Sequence, residues 1–416
     1  MRYSLLLLFL SCGLYGQAQF DTIGYSITCW GRDTVIEATV PGPANVIDGS
    51  AEMRTRFEVT FTDSVPPEAE ESIRFAADVW GSYLQSDVPV RVLVDWRDQG
   101  DDRILASAGP STIYRAFPGA VNPLVWYPVA LAEAITGEDL NKTDEADINV
   151  VVNSKANWNY GTTGSVPRNR IDLASVVLHE LGHGLGFLSS VDSTTDTTLS
   201  IGFEDPELNE RLFIIYDLFL ETPPGQQLAD TLLFNSPSEE LLAAVIERLE
   251  FAGDTSVALN GGELVPLYAP ETFDVGSSVS HLDERTYRAG TEDALMTPSI
   301  ASGEAIRSPG PVTLGVLYDL GWPLSFESVT SLHEVIADRL RIYPNPASGS
   351  FTLETEAIQE PTYALVFAAD GRQVKRQPIL LSGGQAQIDI TGLTPGFYTV
   401  LVPAGRRAYS GRVVVR

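Results

Sequence analysis

Apolar and polar side chains alternate from residue 55 to 62, with Phe57, Val59 and Phe61 on one side, which predicts a half-buried strand. From Pro67 to Leu84 the period changes. Acidic residues open the stretch, and Ile73, Ala76, Ala77, Trp80 and Leu84 form an apolar stripe at helical spacing, which predicts a helix. Alternation returns at Val90, Val92 and Val94, and the β-branched run Ile148 to Val152 predicts another strand. A helix is then expected to begin near Asp172 or Ala174 and to end around His183-Gly184-Leu185-Gly186, where Gly186 can take the positive φ that turns the chain away. Residues 97 to 147 read mainly as loop.

Residues 190 to 280 carry two helical patterns, Pro206 to Leu220 and Pro237 to Phe251, separated by Pro223-Pro224-Gly225, and read as a helical insertion. Pattern is lost after Trp322-Pro323, so a linker is placed at 325 to 338. Beyond it, segments 350–354, 362–369, 386–390, 396–403 and 409–416 alternate between breaks at Asp370-Gly371, Gly383-Gly384 and Pro395-Gly396, as expected of a small β-sandwich.

A length of 416 residues calls for two or three domains, and 44 % hydrophobic with 20 % charged residues describes a folded chain. The net charge of -28, from 27 basic and 55 acidic side chains, argues against nucleic acid or an anionic membrane as partner. Met1-Arg2-Tyr3-Ser4 followed by the apolar run Leu5 to Leu10 has the form of a secretory leader, too short to span a bilayer, with cleavage expected after Ala18. Cys12 could instead mark a lipid-modified cysteine, but the residues before it fit that signal poorly. Cleavage would leave Cys29 as the lone thiol and no transmembrane segment.

Candidate chemistry centres on His179-Glu180-Leu181-Gly182-His183, which takes two of only four histidines in the chain. Four residues apart on a helix, both imidazoles project from one face and can reach one zinc ion, while Glu180 can hold a metal-bound water without being a ligand. A catalytic zinc needs a third protein ligand and an open position. It lowers the pKa of its water to about 7, so that Glu180 can take the proton and return it to a leaving amine. The remaining histidines are His281 and His333; Glu210 is a rival carboxylate ligand.

The run from His179 to Gly186 resembles the opening of the metzincin zinc-protease motif, except that Ser189 stands where a third histidine follows. The segment Gly276 to Glu284, with His281 inside it, and Ala294-Leu295-Met296-Thr297-Pro298 after it are similar to the leishmanolysin group, in which an insertion precedes the third histidine and a methionine turn follows. The resemblance implies zinc held by His179, His183 and His281 above Met296, and His333 is read as exposed in the linker. It also implies an α+β catalytic domain over 51–324: a twisted mixed sheet, an active-site helix and a carboxyl-terminal subdomain with the methionine turn. The strand at 148–152 would be an edge that pairs with extended substrate, and Asn157 to Gly161 could line the cleft. Residues 19–50 would be an amino-terminal pro-segment, with Cys29 as a candidate latency switch on the open zinc position.

Residues 341–416 resemble the type A sorting domain of type IX secretion, through Tyr343-Pro344-Asn345-Pro346, Asp370-Gly371-Arg372 and Leu393-Thr394-Pro395-Gly396-Phe397-Tyr398. The domain, drawn from 339, implies export through both membranes by that machinery. The expectation is a secreted or cell-surface zinc endopeptidase acting on proteins or peptides. The alternative is an inactive adhesin or binding protein with a structural zinc.

Overall fold

The computed structural model describes residues 18–21, 25–142, 144–223, 225–324, 340–355, 362–368, 373–381, 384–404 and 407–416. The expected leader up to residue 17 and the linker with His333 lie outside them.

Two hydrophobic cores organise the chain, one built from residues between Ile27 and Trp322 and the other from residues between Leu340 and Val415. In the first, six strands form one sheet: β1 (Ile27–Val40), β2 (Phe57–Phe61), β3 (Val90–Arg97), β4 (Ile104–Pro110), β5 (Ile148–Asn153) and β6 (Ser299–Ile306), in the order β6-β1-β4-β5-β3-β2. Strands β5, β3 and β2 run parallel to one another and β6 parallel to β1, while β4 is antiparallel to both neighbours. Val90, Val92 and Val94, with Ile148, Val150 and Val152, are buried, which is why alternation marked them.

Two helices position the site. Helix α1 (Pro67–Tyr83) has proline at its start, Glu68 and Glu70 in its first turn, and buries Ile73, Ala76, Ala77 and Trp80. It packs on α2 (Leu173–Gly184), where the Trp80 indole donates to the Leu178 carbonyl at 2.9 Å. Asp172 caps α2, accepting from the Ser175 amide, and Gly186 has φ +120°.

Several expectations are corrected. The metzincin-like α+β class is not what the chain adopts: the described residues are mostly β-sheet, with 26 strands, and of their seven α-helices only α1 and α2 exceed ten residues. The 190–280 segment is mostly short strands and turns, with α-helix only at Glu239–Val245 and Asp254–Leu259 among its described residues. Pro206 to Leu220 holds a short strand and one 3-10 turn at Ile215–Phe219, tightened because buried Asp217 accepts from the Ile214 amide at 3.2 Å. Pro237 to Phe251 is helical only over Glu239–Val245. Glu247 has φ 70°, and Leu249–Phe251 pairs between Leu220–Thr222 and Val265–Leu267. The Ile148 to Val152 strand is no edge, since β5 lies between β4 and β3. Residues 27–40 are an interior strand of the sheet, so most of the expected pro-segment is built into the fold. Residues 97–147, read as loop, contain β4 and the helix Val129–Thr136.

The second core belongs to a seven-stranded all-β unit with antiparallel pairs at 341–354, 362–379 and 396–415, in agreement with the alternating segments.

Candidate metal centre

Helix α2 is buried from Leu173 to Gly184. His179 and His183 leave it on one face, and His281 arrives from the loop after Val265–Leu267. Their Nε2 atoms stand 3.0 Å (179 to 183), 3.2 Å (183 to 281) and 3.2 Å (179 to 281) apart. Each Nδ1 lies 2.7 Å from a backbone carbonyl, of Leu295, Phe187 and Ser277 respectively. A carbonyl only accepts, so each Nδ1 carries the proton and each Nε2 presents a lone pair. Three lone pairs therefore converge with no proton among them. Nitrogens bound tetrahedrally to zinc at about 2.0–2.1 Å stand about 3.3 Å apart, so the residues present fit that ion.

Burial works in the same direction. It lowers His179 to about 4, and it holds His183 and His281 well below the usual imidazole range, helped for both by the charge of His179 and for His183 also by that of His281. Neutral imidazole is the form that ligates. The carbonyls that orient these rings are the outer partners a metal-binding histidine normally has.

Neighbouring backbone holds the rings in place. The Leu295 carbonyl receives His179, and the Met296 carbonyl receives the Leu282 amide, so one turn fixes both a helix histidine and the His281 loop. Met296 is fully buried, and a Cβ on Gly182 would come within 2.8 Å of its Sδ, so glycine is what lets the turn lie against the helix. Val279, two residues before His281, is buried at φ 72°, a costly conformation for a β-branched residue; its amide donates to the Tyr268 carbonyl.

Glu180 is wholly buried, and neither carboxylate oxygen has a hydrogen-bond partner. Burial pushes it well above the ordinary carboxyl value, opposed only by the Cys29 amide facing it. Cys29 sits in β1, buried, with ligand-capable atoms of Cys29, His179 and Glu180 all within 4.8 Å, yet it does not join the three-histidine group. Its thiol is pushed up by burial and then by the charges of Glu180, Glu284 and Glu304. Glu210 is exposed on a short strand and belongs to neither group. Ser189 donates to Asp217 at 2.7 Å. Trp158 packs in the core, and the Asn159 amide donates to Asp172 at 2.8 Å, so this stretch supports α2.

Sequence reasoning passed over one supporting group. Arg307, fully buried, donates to Asp172 at 2.7 and 3.0 Å and to the Gly161 and Gly164 carbonyls, while Ser175 joins Asp172 to the Ile306 amide. The network ties the start of α2 to the end of β6. Asp172 was visible as a helix cap, but nothing local marks its partner 135 residues away.

Comparison with known proteins finds two families. One, described as SPBPB7E8-like, matches residues 52–218, less than half of the chain, a span that includes His179, Glu180 and His183 but stops before His281. The other, the secretion system C-terminal sorting domain, matches residues 341–416. No curated protein matches. Among solved structures, an immunoglobulin-like β-sandwich protein of the DUF3244 family from Bacteroides vulgatus is 15 % identical, with 18 % of this chain and 81 % of that one covered at a TM-score of 0.15. The chain thus carries a type IX secretion sorting domain, engages that machinery, and is exported to the cell surface or the medium. Among the described residues no helix is long and apolar enough to cross a membrane.

Proposed function

We propose that the domain before the sorting tail is a zinc-dependent endopeptidase acting on proteins or peptides, with His179, His183 and His281 as ligands and Glu180 as general base and acid. The observation that carries the reading is the convergence of three proton-free Nε2 atoms at 3.0–3.2 Å. Without a cation, that arrangement sets three lone pairs against one another. A bound zinc ion would polarise a scissile carbonyl and make a water acidic near neutrality.

The chain's own residues supply the remainder. The backbone carbonyls of Leu295, Phe187 and Ser277 hold the three rings in the ligating tautomer. Glu180 is one residue beyond the first ligand, in a water-poor pocket that raises its affinity for a proton, which suits a group that must accept one from water and deliver it to an amine. Its two unpartnered oxygens support this role, since a purely structural carboxylate at that depth would be expected to be bonded.

A second reading, a surface binding protein with a structural zinc, draws on the complete burial of the cluster. Casein hydrolysis by the exported protein separates the two. The endopeptidase gives cleavage that a chelator and Glu180→Ala both abolish; zinc-replete protein without Glu180-dependent cleavage would leave the structural site.

A further inference from the structure

The net charge of the chain is -28, yet residues 390–416 hold four arginines and no acidic side chain. This stretch is a basic island on an acidic protein, and such an asymmetry marks a surface with a partner of its own. It belongs to the sorting domain and contains two strands, Gly396–Ala404 and Arg407–Val415, which pair antiparallel inside the seven-stranded unit. Tyr398, Val400, Val402, Val413 and Val415 are buried in its core. By alternation Phe397, paired with Val414, and Thr399, paired with Arg412, face the other way.

The two motifs that marked this domain in the sequence have different duties. In Tyr343-Pro344-Asn345-Pro346 neither proline has an N–H to give a neighbouring strand. The Asn345 side chain takes over. Its Nδ2 donates to the Arg412 carbonyl at 2.8 Å and its Oδ1 accepts from the Val414 amide at 2.9 Å, which fixes the last strand opposite Phe397. In Leu393-Thr394-Pro395-Gly396-Phe397-Tyr398 the Tyr398 hydroxyl donates to the Thr394 carbonyl at 2.6 Å and holds the turn, while Leu393 packs against the core. Phe397 has no such duty. It is 72 % exposed, more than any other large apolar side chain described in the tail, on a strand paired along both edges. Tyr363, by contrast, lies beneath the Arg376 guanidinium at 3.9 Å.

We infer that Phe397, with Val414 and Arg412 beside it, is the anchor by which the tail docks on the type IX machinery, and that it enters a protein pocket that is apolar at its centre and rich in carboxylates at its rim. The tail engages that machinery, so its one large apolar side chain with no packing duty has an occupant to meet. An exposed aromatic ring framed by arginine has the composition of an interface centre, where such side chains carry most of the binding energy. Arginine pairs with carboxylates in a fixed geometry, so the rim adds specificity around the ring. Asn345 is a positioning residue: it sets where Val414 and Arg412 lie relative to Phe397. Nothing in this surface depends on the metal centre, and it stands whether or not the larger domain is an endopeptidase.

Export of the full chain from the producing cell is measured, as the amount at the surface and in the medium, for wild type, Phe397→Ser, Phe397→Trp, Arg412→Glu and Leu380→Ser. Amide hydrogen exchange of residues 396–415, in each protein purified from inside the cell with its tail, reports whether the tail is still folded. Phe397→Ser should lower export by about tenfold or more with exchange unchanged, Phe397→Trp should keep most of it, and Arg412→Glu should lower it severalfold. Leu380 is comparably exposed, at 64 %, but lies outside this pair of strands, so Leu380→Ser should be exported like wild type. Normal export of Phe397→Ser overturns the proposal. So does a loss that comes with faster exchange, which would make Phe397 a packing residue, or an equal loss from Leu380→Ser. Purified protein is also offered vesicles of mixed neutral and anionic phospholipid; binding that Phe397→Ser abolishes would assign the face to lipid and overturn the protein pocket. Asn345→Ala should speed exchange in residues 407–415 and reduce export together; lost export with unchanged exchange would overturn its role as a positioning residue.

Discussion

The two cores of this chain are built on opposite terms. Every buried polar or charged side chain among the described residues lies between Thr55 and Thr313, whereas the core of residues 340–416 contains none. The tail is therefore held by apolar packing and sheet pairing, which tolerate sequence change and place no reactive group. The larger region buries Glu180, three histidines, Asp172, Asp217, Glu133 and Arg307, each costly unless partnered. Buried titratable side chains are concentrated where that cost is borne, and addressing is left to a domain that bears none.

The sharpest way to break this division is a pair of all-or-none experiments. Deleting residues 341–416 should abolish arrival at the surface or in the medium while protein retained in the cell still binds zinc. His281→Ala should do the reverse: export persists, zinc content falls to background, and casein hydrolysis is lost. Zinc bound at full affinity without His281, measured by metal analysis after dialysis, would remove that residue from the ligand set. Loss of zinc on deleting the tail would show that the two regions are not independent.

Within the larger region, Glu180→Gln asks for chemistry alone. General acid–base groups contribute about 10²–10⁴-fold, so casein hydrolysis should fall by that factor with zinc content unchanged. A fall matched by zinc loss would make Glu180 a structural support of the cluster and not a base.

How far this arrangement could be read beforehand depended on how local its causes are. Helix α2 announced itself through the 3.6-residue period and the Asp172 cap, and its histidine spacing is a property of the helix alone. β1 did not, because Gly31-Arg32-Asp33-Thr34 interrupts its alternation and its middle lies exposed, so only its pairing with β4 and β6 makes it a strand. In the 190–280 segment Phe213-Ile214-Ile215 fits an apolar helical stripe as well as it fits a buried turn, and Asp217 decides between them through a long-range contact to Ser189 and Ser190. His281 emerged from scarcity of histidine and from a resemblance in its flanks. Its distance from His183 is a tertiary fact that no local pattern encodes.

Arg307→Met probes the cost borne by the larger region. It leaves Asp172 buried without its cation and strips donors from the Gly161 and Gly164 carbonyls, a change expected to cost about 3–5 kcal/mol by urea denaturation. Lys375→Met in the tail also removes an ion pair, with Asp389 at 3.0 Å, but on an exposed face screened by solvent, so no measurable shift is expected. Comparable losses from the two substitutions would erase the distinction drawn between the cores.

The smallest effect is a slope. Burial, then the charge of Asp147, raises Glu133 from 4.5 to about 8, against backbone amides of Leu140 and Asn141 that favour its charged form. The folded state therefore holds a proton that the unfolded state has released. Its stabilising contribution is complete below the unfolded value and is lost as pH rises through about 8. Asp389 in the tail has the opposite sign: Thr391 and Lys375 hold it below its usual range at the surface, so its contribution fades only in acid. Glu133→Gln fixes the neutral form permanently. The variant should match wild type in urea midpoint near pH 5 and lose less stability than wild type by about pH 9, with the difference confined to the unfolding of the larger region. Identical slopes would mean that Glu133 is ionised in the folded protein, and that this part of the core pairs its charge instead of suppressing it.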